Sequence, residues 1–153
     1  MPWLNVPHLR QAKSGWCLPA CVAMVAAYGQ RPLAQDNIAS WLGTSWIGTP
    51  SSRIQRLTEH GFEVVYRTGS IGDLEGWLAQ QTPCILFIRT SELTYWHIDL
   101  PHAVVLVGLE AENAQPIDPD HGIAPVTFSV DELLLAWSHS DYTYAVLKPT
   151  ISN

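Results

Sequence analysis

Four residues of this sequence have the types and the spacing that nucleophilic catalysis by a thiol requires. Cys17 offers a thiol, His102 an imidazole, Asp118 a carboxylate and Gln11 an amide. A cysteine nucleophile needs a base that takes up its proton, and the base needs a group that orients it. Histidine suits the role of base because its pKa lies near neutrality. Gln11 precedes Cys17 by six residues, so its amide and the backbone N–H of Cys17 could together hold a developing oxyanion.

Each of these residues also has an ordinary structural interpretation. A free cysteine in a helix is commonly a small buried hydrophobe. A histidine at the start of a strand is commonly a surface residue, and an aspartate before a proline commonly forms a turn. A single glutamine indicates nothing. The four residues together, in the order Gln, Cys, His and Asp, favour a catalytic site over coincidence.

Cys17 stands at the beginning of the clearest helical pattern in the chain. Residues 17–28 place apolar side chains at helical spacing on one face, and small alanines fill the opposite face. A helix that is apolar on all sides is typical of the middle of a domain. Gly15 predicts a turn before this helix and Gly29 predicts its end. At the start of a helix, unpaired N–H groups and the macrodipole favour the thiolate form of a cysteine.

His102 and Asp118 lie on two segments that the sequence predicts to be neighbouring strands. Residues 102–109 are rich in β-branched side chains and predict a buried strand. A polar turn at 110–113 leads to a second strand that ends close to Asp118. Antiparallel strands joined by a short turn lie side by side, so we expect His102 to meet Asp118.

The remaining elements follow from similar patterns. One helix is predicted over 33–42, with Ile38, Trp41 and Leu42 buried. A second helix is predicted from a cap at Ser51 or Ser52 to Gly61, and a third around Leu74 to Leu78. A fourth helix follows a capping box from Ser129 to Glu132. Further strands are predicted over 62–66, 84–89, 125–128 and 142–147. Helices thus come first and an antiparallel sheet last, which predicts an α+β fold with a central nucleophile helix packed on a C-terminal antiparallel sheet.

Composition restricts the domain organisation, the partners and the compartment. The length of 153 residues suffices for one core, so we expect a single domain over 1–153. The net charge of −6, without a cluster of Lys or Arg, argues against nucleic acid as the main partner. No signal peptide and no membrane span is apparent. The three cysteines argue against a disulfide framework and fit a reducing cytoplasm.

A metal site is a further alternative. Cys17 and Cys21 could act with one or more of His97, His102 and His121, but these residues lack the paired spacing of structural zinc sites. We therefore expect neither a metal nor another cofactor. His97 and, less strongly, His121 are also the rivals of His102 as the base.

Several stretches resemble the C39 and C39-like peptidases, which are cysteine peptidases of the papain fold. The similar stretches are Gln11 with Cys17, Pro19–Val25 and Tyr28–Gly29 at the N-terminal motif, His102–Gly108 at the catalytic-histidine strand, Ile117–Pro119 at the Asp-Pro segment, and Phe128–Val146 at the closing stretch. The resemblance covers about residues 11–147, which is nearly the whole chain.

The resemblance implies a role for each candidate residue. The nucleophile of the family falls on Cys17, its base on His102, its orienting acid on Asp118 and its oxyanion amide on Gln11. The sequence is more similar to the stand-alone C39-like group than to the bacteriocin exporters, because no ATP-binding cassette and no membrane segment follows the motifs.

The neighbours of the nucleophile depart from the common family pattern. Trp16 and Leu18 stand where many members have aspartate and glycine.

The function expected from these observations is that of a cysteine peptidase acting on a peptide or protein. Amidase and acyltransferase chemistry use the same groups and stay open. The alternative from another class is a binding module that holds a peptide without cutting it. The substrate, the oligomeric state and any separate transporter partner stay open too.

Overall fold

A six-stranded antiparallel sheet forms the centre of the protein, whose computed structural model describes residues 3–150. Its strands are β1 (Phe62–Thr68), β2 (Cys84–Arg89), β3 (Pro101–Leu109), β4 (Asn113–Ile117), β5 (Phe128–Ser129) and β6 (Thr143–Pro149). Across the sheet they follow the order β1-β6-β2-β3-β4-β5. The predicted α+β class is confirmed, and the sheet also takes in β1, which lies in the first half of the chain.

Helices cover both faces of this sheet. They are α1 (Cys17–Tyr28), α2 (Gln35–Leu42), α3 (Ile71–Ala79), α4 (Val130–Ser138) and two 3₁₀ helices, Ser51–His60 and Thr90–Glu92. Helices α1 and α2 and the longer 3₁₀ helix pack on one face, where Val105 and Val107 of β3 enter the core. Helices α3 and α4 pack on the other face, against Val104 and Leu106. Successive residues of β3 therefore serve two separate cores, as strand alternation requires.

Helix α1 is the most deeply buried helix, as its apolar pattern predicts. All residues from Leu18 to Ala26 are buried between the sheet and α2. The predicted bounds are confirmed, but the end of the helix differs in detail. Gly29 has a φ of −80°, and the left-handed residue is Gln30, with a φ of 65°.

Two local predictions about helix starts were wrong, and a third was confirmed only in part. Pro50 rather than a serine occupies the N-cap of the first 3₁₀ helix, and the Ser51 hydroxyl lies 2.7 Å from that of Tyr66. Helix α2 begins at Gln35 because Ala34 has extended backbone. At α4, Ser129 accepts from the Glu132 N–H at 3.0 Å, but the Glu132 carboxylate accepts from Thr94 instead of completing a capping box.

Two further differences concern the burial of one side chain and the length of one strand. Trp41 is only half-buried on α2. Strand β5 has two residues rather than the predicted four, because Pro125 has no N–H and Val126 makes a single backbone hydrogen bond, to the carbonyl of Pro116.

No helix within residues 3–150 is long and apolar enough to cross a membrane.

A β-bulge sets the register between β3 and β4. Gly108 pairs with Gln115, but Leu106 pairs with Pro116, so β3 carries one extra residue between them. Beyond the last pair, Val105 with Ile117, the shifted register places Asp118 opposite Val104. Without the bulge Asp118 would lie opposite Val105, on the other face of the sheet. Val104 and His102 lie on the same face of the sheet, because they are two residues apart on β3. The bulge therefore places Asp118 on the same face as His102, diagonally across from it on the neighbouring strand.

Candidate active site

Cys17 is the first residue of α1 and lies half-buried on a cleft. The N-cap residue Trp16 makes no side-chain cap bond to the helix, and Pro19 has no N–H, so the first turn presents the N–H groups of Cys17 and Leu18. Gly15 forms the preceding turn with a φ of +82°. The helix therefore presents the thiol at its positively polarised end.

His102 lies at the start of β3 and forms a buried pair with Asp118. Its Nε2 is 2.7 Å from Asp118 Oδ1, and the two side chains are 3% and 0% exposed. His102 and Cys17 line the same cleft, and the Cys17 thiol is among the groups that raise the pKa of the imidazole. The structure thus brings the three predicted residues Cys17, His102 and Asp118 together.

The Asp118 carboxylate accepts four hydrogen bonds. Oδ1 accepts from His102 Nε2 and from the backbone N–H of Asp120 at 2.8 Å. Oδ2 accepts from the Tyr95 hydroxyl at 2.7 Å and from Trp96 Nε1 at 2.9 Å. The ring of Trp96 also packs against His102, with centroids 4.9 Å apart. Both oxygens are therefore engaged, and the carboxylate is held in one orientation.

Electrostatics favour a charged His102–Asp118 pair. Burial acts to lower the pKa of His102, but hydrogen bonds and charges from Asp118 and Cys17 outweigh it and raise the pKa to about 10. Burial acts to raise the pKa of Asp118, but the hydrogen bond and charge of His102, with the other donors, lower it to about 2. An imidazolium beside a carboxylate is hence the stable state around neutral pH.

The other two cysteines are unsuited to nucleophilic chemistry. Cys21 is fully buried one turn along α1, and burial followed by the charges of Cys17 and Asp118 raises the pKa of its thiol. Burial raises the pKa of Cys84 to about 12. Both are neutral thiols inside the core, so Cys17 is the cysteine that solvent and substrate can reach.

Gln11 lines the same cleft as Cys17 and His102. Its backbone N–H donates to the carbonyl of Pro119 at 2.8 Å, which ties the N-terminal arm to the segment after Asp118. Its side-chain Nε2 donates to the Lys13 carbonyl at 3.3 Å. The cleft encloses about 1390 Å³ between a loop at 43–51 and the segment 87–103.

The two rival histidines, His97 and His121, do not line the cleft that contains Cys17. They line an adjoining small cavity of about 220 Å³ beside Tyr95 and Trp96. Within residues 3–150, no three His, Cys, Asp or Glu side chains are grouped so that they could hold a metal ion.

Sequence reasoning missed Tyr95 and Trp96 as hydrogen-bond partners of Asp118. Both are aromatic residues with a polar tip, and such residues usually place that tip against a partner when they are buried. Two such residues in succession, just before the strand of His102, could have indicated a buried polar partner. The sequence could not show that this partner is Asp118, because Asp118 lies 23 residues away from Tyr95 in the chain.

Replacing Tyr95 with phenylalanine should lower the free energy of unfolding by about 1.5–3 kcal/mol, because a hydrogen bond to a buried carboxylate is lost. Urea denaturation of Tyr95→Phe and wild type measures this difference. Tyr142→Phe is the matched control, since Tyr142 is exposed at the surface. Equal stability of Tyr95→Phe and wild type would mean that the Tyr95 hydroxyl does not hold Asp118.

Comparison with solved structures identifies the fold. A Bacillus anthracis protein described as a C39-like peptidase superposes with a TM-score of 0.78 at 15% identity, covering 100% of this chain and 99% of that one. The peptidase domain of Streptococcus ComA, a bi-functional ABC transporter of quorum sensing, gives 0.76 at 18% identity over 93% and 97%. A double-glycine-motif protease from an AMS/PCAT transporter, solved with a leader peptide, gives 0.70 at 22% identity over 97% and 94%.

These neighbours confirm the predicted papain-like peptidase fold, and at such identities the likeness concerns the fold. No curated protein matches the sequence. The model of the family described as Peptidase_C39 like matches residues 3–129, which is most of the chain. This protein therefore belongs to the Peptidase_C39 like family.

Proposed function

We propose that this protein is an active cysteine peptidase that hydrolyses peptide bonds in peptides or proteins, with residues 1–153 acting as one peptidase domain. Cys17 is the nucleophile, His102 the base, Asp118 the orienting residue and Gln11 an oxyanion donor. The observation that carries the proposal is the buried His102–Asp118 pair beside a half-exposed thiol at a helix N-terminus.

The reaction follows from these positions. The Cys17 thiolate attacks the carbonyl carbon, and the oxyanion accepts hydrogen bonds from Gln11 Nε2 and the Cys17 N–H. The C–N bond breaks as the His102 imidazolium gives its proton to the leaving amine. Water then attacks the thioester while His102 takes a proton from it. The C–S bond breaks, and the carboxylic product and the thiolate are released.

Transfer of the acyl group to an amine would use the same thioester and stays the second candidate. It differs only in the group that attacks the thioester. A binding module is the third candidate, although the four groups that hydrolysis requires are all present around the cleft. One neighbour was solved with a leader peptide, which supports a peptide as the ligand class in both cases.

Exposed apolar side chains on the cleft favour substrates with bulky apolar residues near the scissile bond. Trp46, Ile47 and Ile98 are 80%, 76% and 62% exposed. All three line the cleft that contains Cys17. Large apolar groups gathered at one cleft mark a binding surface, because their burial against a ligand is favourable.

We place the enzyme in a reducing compartment such as the cytoplasm, since its three cysteines are free thiols.

A peptide library incubated with wild type, with Cys17→Ala as the blank, tests the proposal. Hydrolysis adds the mass of one water for each bond cut, whereas acyl transfer to an added amine gives an amide product. Peptides that bind the wild type but are never converted would identify a binding module.

Replacing Trp46 with serine should raise KM about 10-fold for a cleaved peptide with an apolar residue beside the scissile bond. This change corresponds to a loss of about 1.4 kcal/mol of binding free energy from apolar burial. The value of kcat should stay nearly unchanged, since such binding is uniform. Steady-state kinetics on paired peptides with Leu or Ser beside the scissile bond measure the effect. Ile123→Ser is the control, because Ile123 is 69% exposed and lies off the cleft. An unaltered preference for Leu over Ser in Trp46→Ser would rule out this subsite.

A further inference from the structure

We infer that Gln35 is a positioning residue that fixes the backbone of Gln11 and thereby the oxyanion site. The inference rests on the proposed function, because it takes Gln11 as an oxyanion donor. Gln35 is the first residue of α2 and lies 24 positions after Gln11 in the chain. Nothing in the sequence pattern connects the two residues.

The side-chain amide of Gln35 bridges the two residues that flank Gln11. Its Oε1 accepts from the backbone N–H of Ala12 at 2.9 Å, and its Nε2 donates to the backbone carbonyl of Arg10 at 2.8 Å. Gln11 itself donates its N–H to the carbonyl of Pro119. Three consecutive residues are thus fixed by hydrogen bonds from two distant parts of the chain.

Gln11 depends on this support because its own side chain is weakly anchored. Its Nε2 makes a long bond of 3.3 Å to the Lys13 carbonyl, and its buried Oε1 has no hydrogen-bond partner among residues 3–150. The segment from residue 3 to Trp16 contains no helix or strand whose ladder could hold it. The backbone position therefore decides where the amide points, and Gln35 decides the backbone position.

Only an amide of this length meets both requirements. Glutamate keeps the acceptor for Ala12 but cannot donate to the Arg10 carbonyl, and methionine offers neither strong bond. Asparagine has both groups on a side chain that is shorter by one methylene. An oxyanion donor acts only when it lies about 2.7–3.1 Å from the developing charge. A misplacement of about 1 Å from a distant change can cost about 100-fold in rate.

The first test is a double-mutant cycle on a cleaved peptide. Gln35→Met should lower kcat about 10- to 100-fold with KM nearly unchanged, and Gln35→Glu should fall between Gln35→Met and wild type. In a Gln11→Ala background, Gln35→Met should change kcat less than 2-fold, because the group it positions is gone. Asn37→Ala, at an exposed site of the same helix, is the control. An undiminished effect of Gln35→Met in the Gln11→Ala background would overturn the inference.

The second test uses a peptide aldehyde, which forms a hemithioacetal as the thiol sulfur bonds to the carbonyl carbon and the proton moves to its oxygen. Gln35→Met and Gln11→Ala should weaken this adduct by similar factors. Alkylation of Cys17 by iodoacetamide forms no oxyanion and should proceed at the wild-type rate in both variants.

The outcomes separate the two proposals. A wild type that cuts peptides, with Gln35→Met cutting equally fast, would overturn the role of Gln35 alone. A wild type that neither cuts peptides nor binds the aldehyde would overturn the proposed function and this role with it. Urea denaturation shows whether each variant is folded. If Gln35→Met unfolds, Gln35→Glu takes its place in the same kinetic comparison.

Discussion

Replacing Cys17 with alanine should abolish peptide cleavage, with a loss of about 10⁴-fold or more, and leave the fold intact. The expectation rests on chemistry, because no other group on the cleft can form the thioester. The side chain is half-exposed at a helix end, so its loss opens no cavity in the core. Product formation from a cleaved peptide and circular dichroism of the same samples measure activity and fold.

Cys21→Ala is the matched control for this prediction. Cys21 lies one turn further along the same helix but is fully buried and neutral. Its replacement should cost about 1 kcal/mol of stability and leave the rate per folded molecule close to that of wild type. A folded Cys21→Ala protein without activity, together with an active Cys17→Ala protein, would transfer the nucleophile to Cys21.

Replacing Asp118 with asparagine should move the alkaline limb of the activity profile to lower pH by more than one unit. Burial acts to lower the pKa of His102, but the hydrogen bonds and charges of Asp118 and Cys17 raise it to about 10. Asparagine removes the charge but keeps the burial, so the pKa of His102 falls towards or below its ordinary value of about 6.5. The imidazolium that protonates the leaving amine is then lost at a lower pH.

The rate should fall on the alkaline side in both proteins, because the His102 imidazolium that protonates the leaving amine is lost there. The rate at the optimum should fall less in Asp118→Asn than in Cys17→Ala, because Asp118 orients the base and does not attack. Asparagine is the sharper variant, because its single oxygen can still accept from the donors at one of the two carboxylate positions, whereas alanine would leave all four donors without an acceptor. Measurement of kcat/KM from acidic to alkaline pH decides the matter. An alkaline limb that stays in place in Asp118→Asn would remove Asp118 from the mechanism.

The sequence by itself determined the elements whose signals are local. The apolar pattern of 17–28 predicted the bounds of α1, because a helix without a polar face must be buried. The β-branched run from 102 predicted β3 in the same way. That the segments carrying His102 and Asp118 are neighbouring strands followed from the short turn between them, which requires no knowledge of distant contacts.

Only the tertiary structure decided how these groups are aligned. The bulge between Leu106 and Gly108 shifts the register by one residue, and this shift places Asp118 on the face of His102. A one-residue shift leaves no mark on hydrophobic alternation at a strand that is buried on both faces, so the sequence could not reveal it. The hydrogen bonds of Tyr95 and Trp96 to Asp118 join residues more than 20 positions apart. Such contacts depend on how separate elements pack in space, and the spacing of residues along the chain carries no record of that packing.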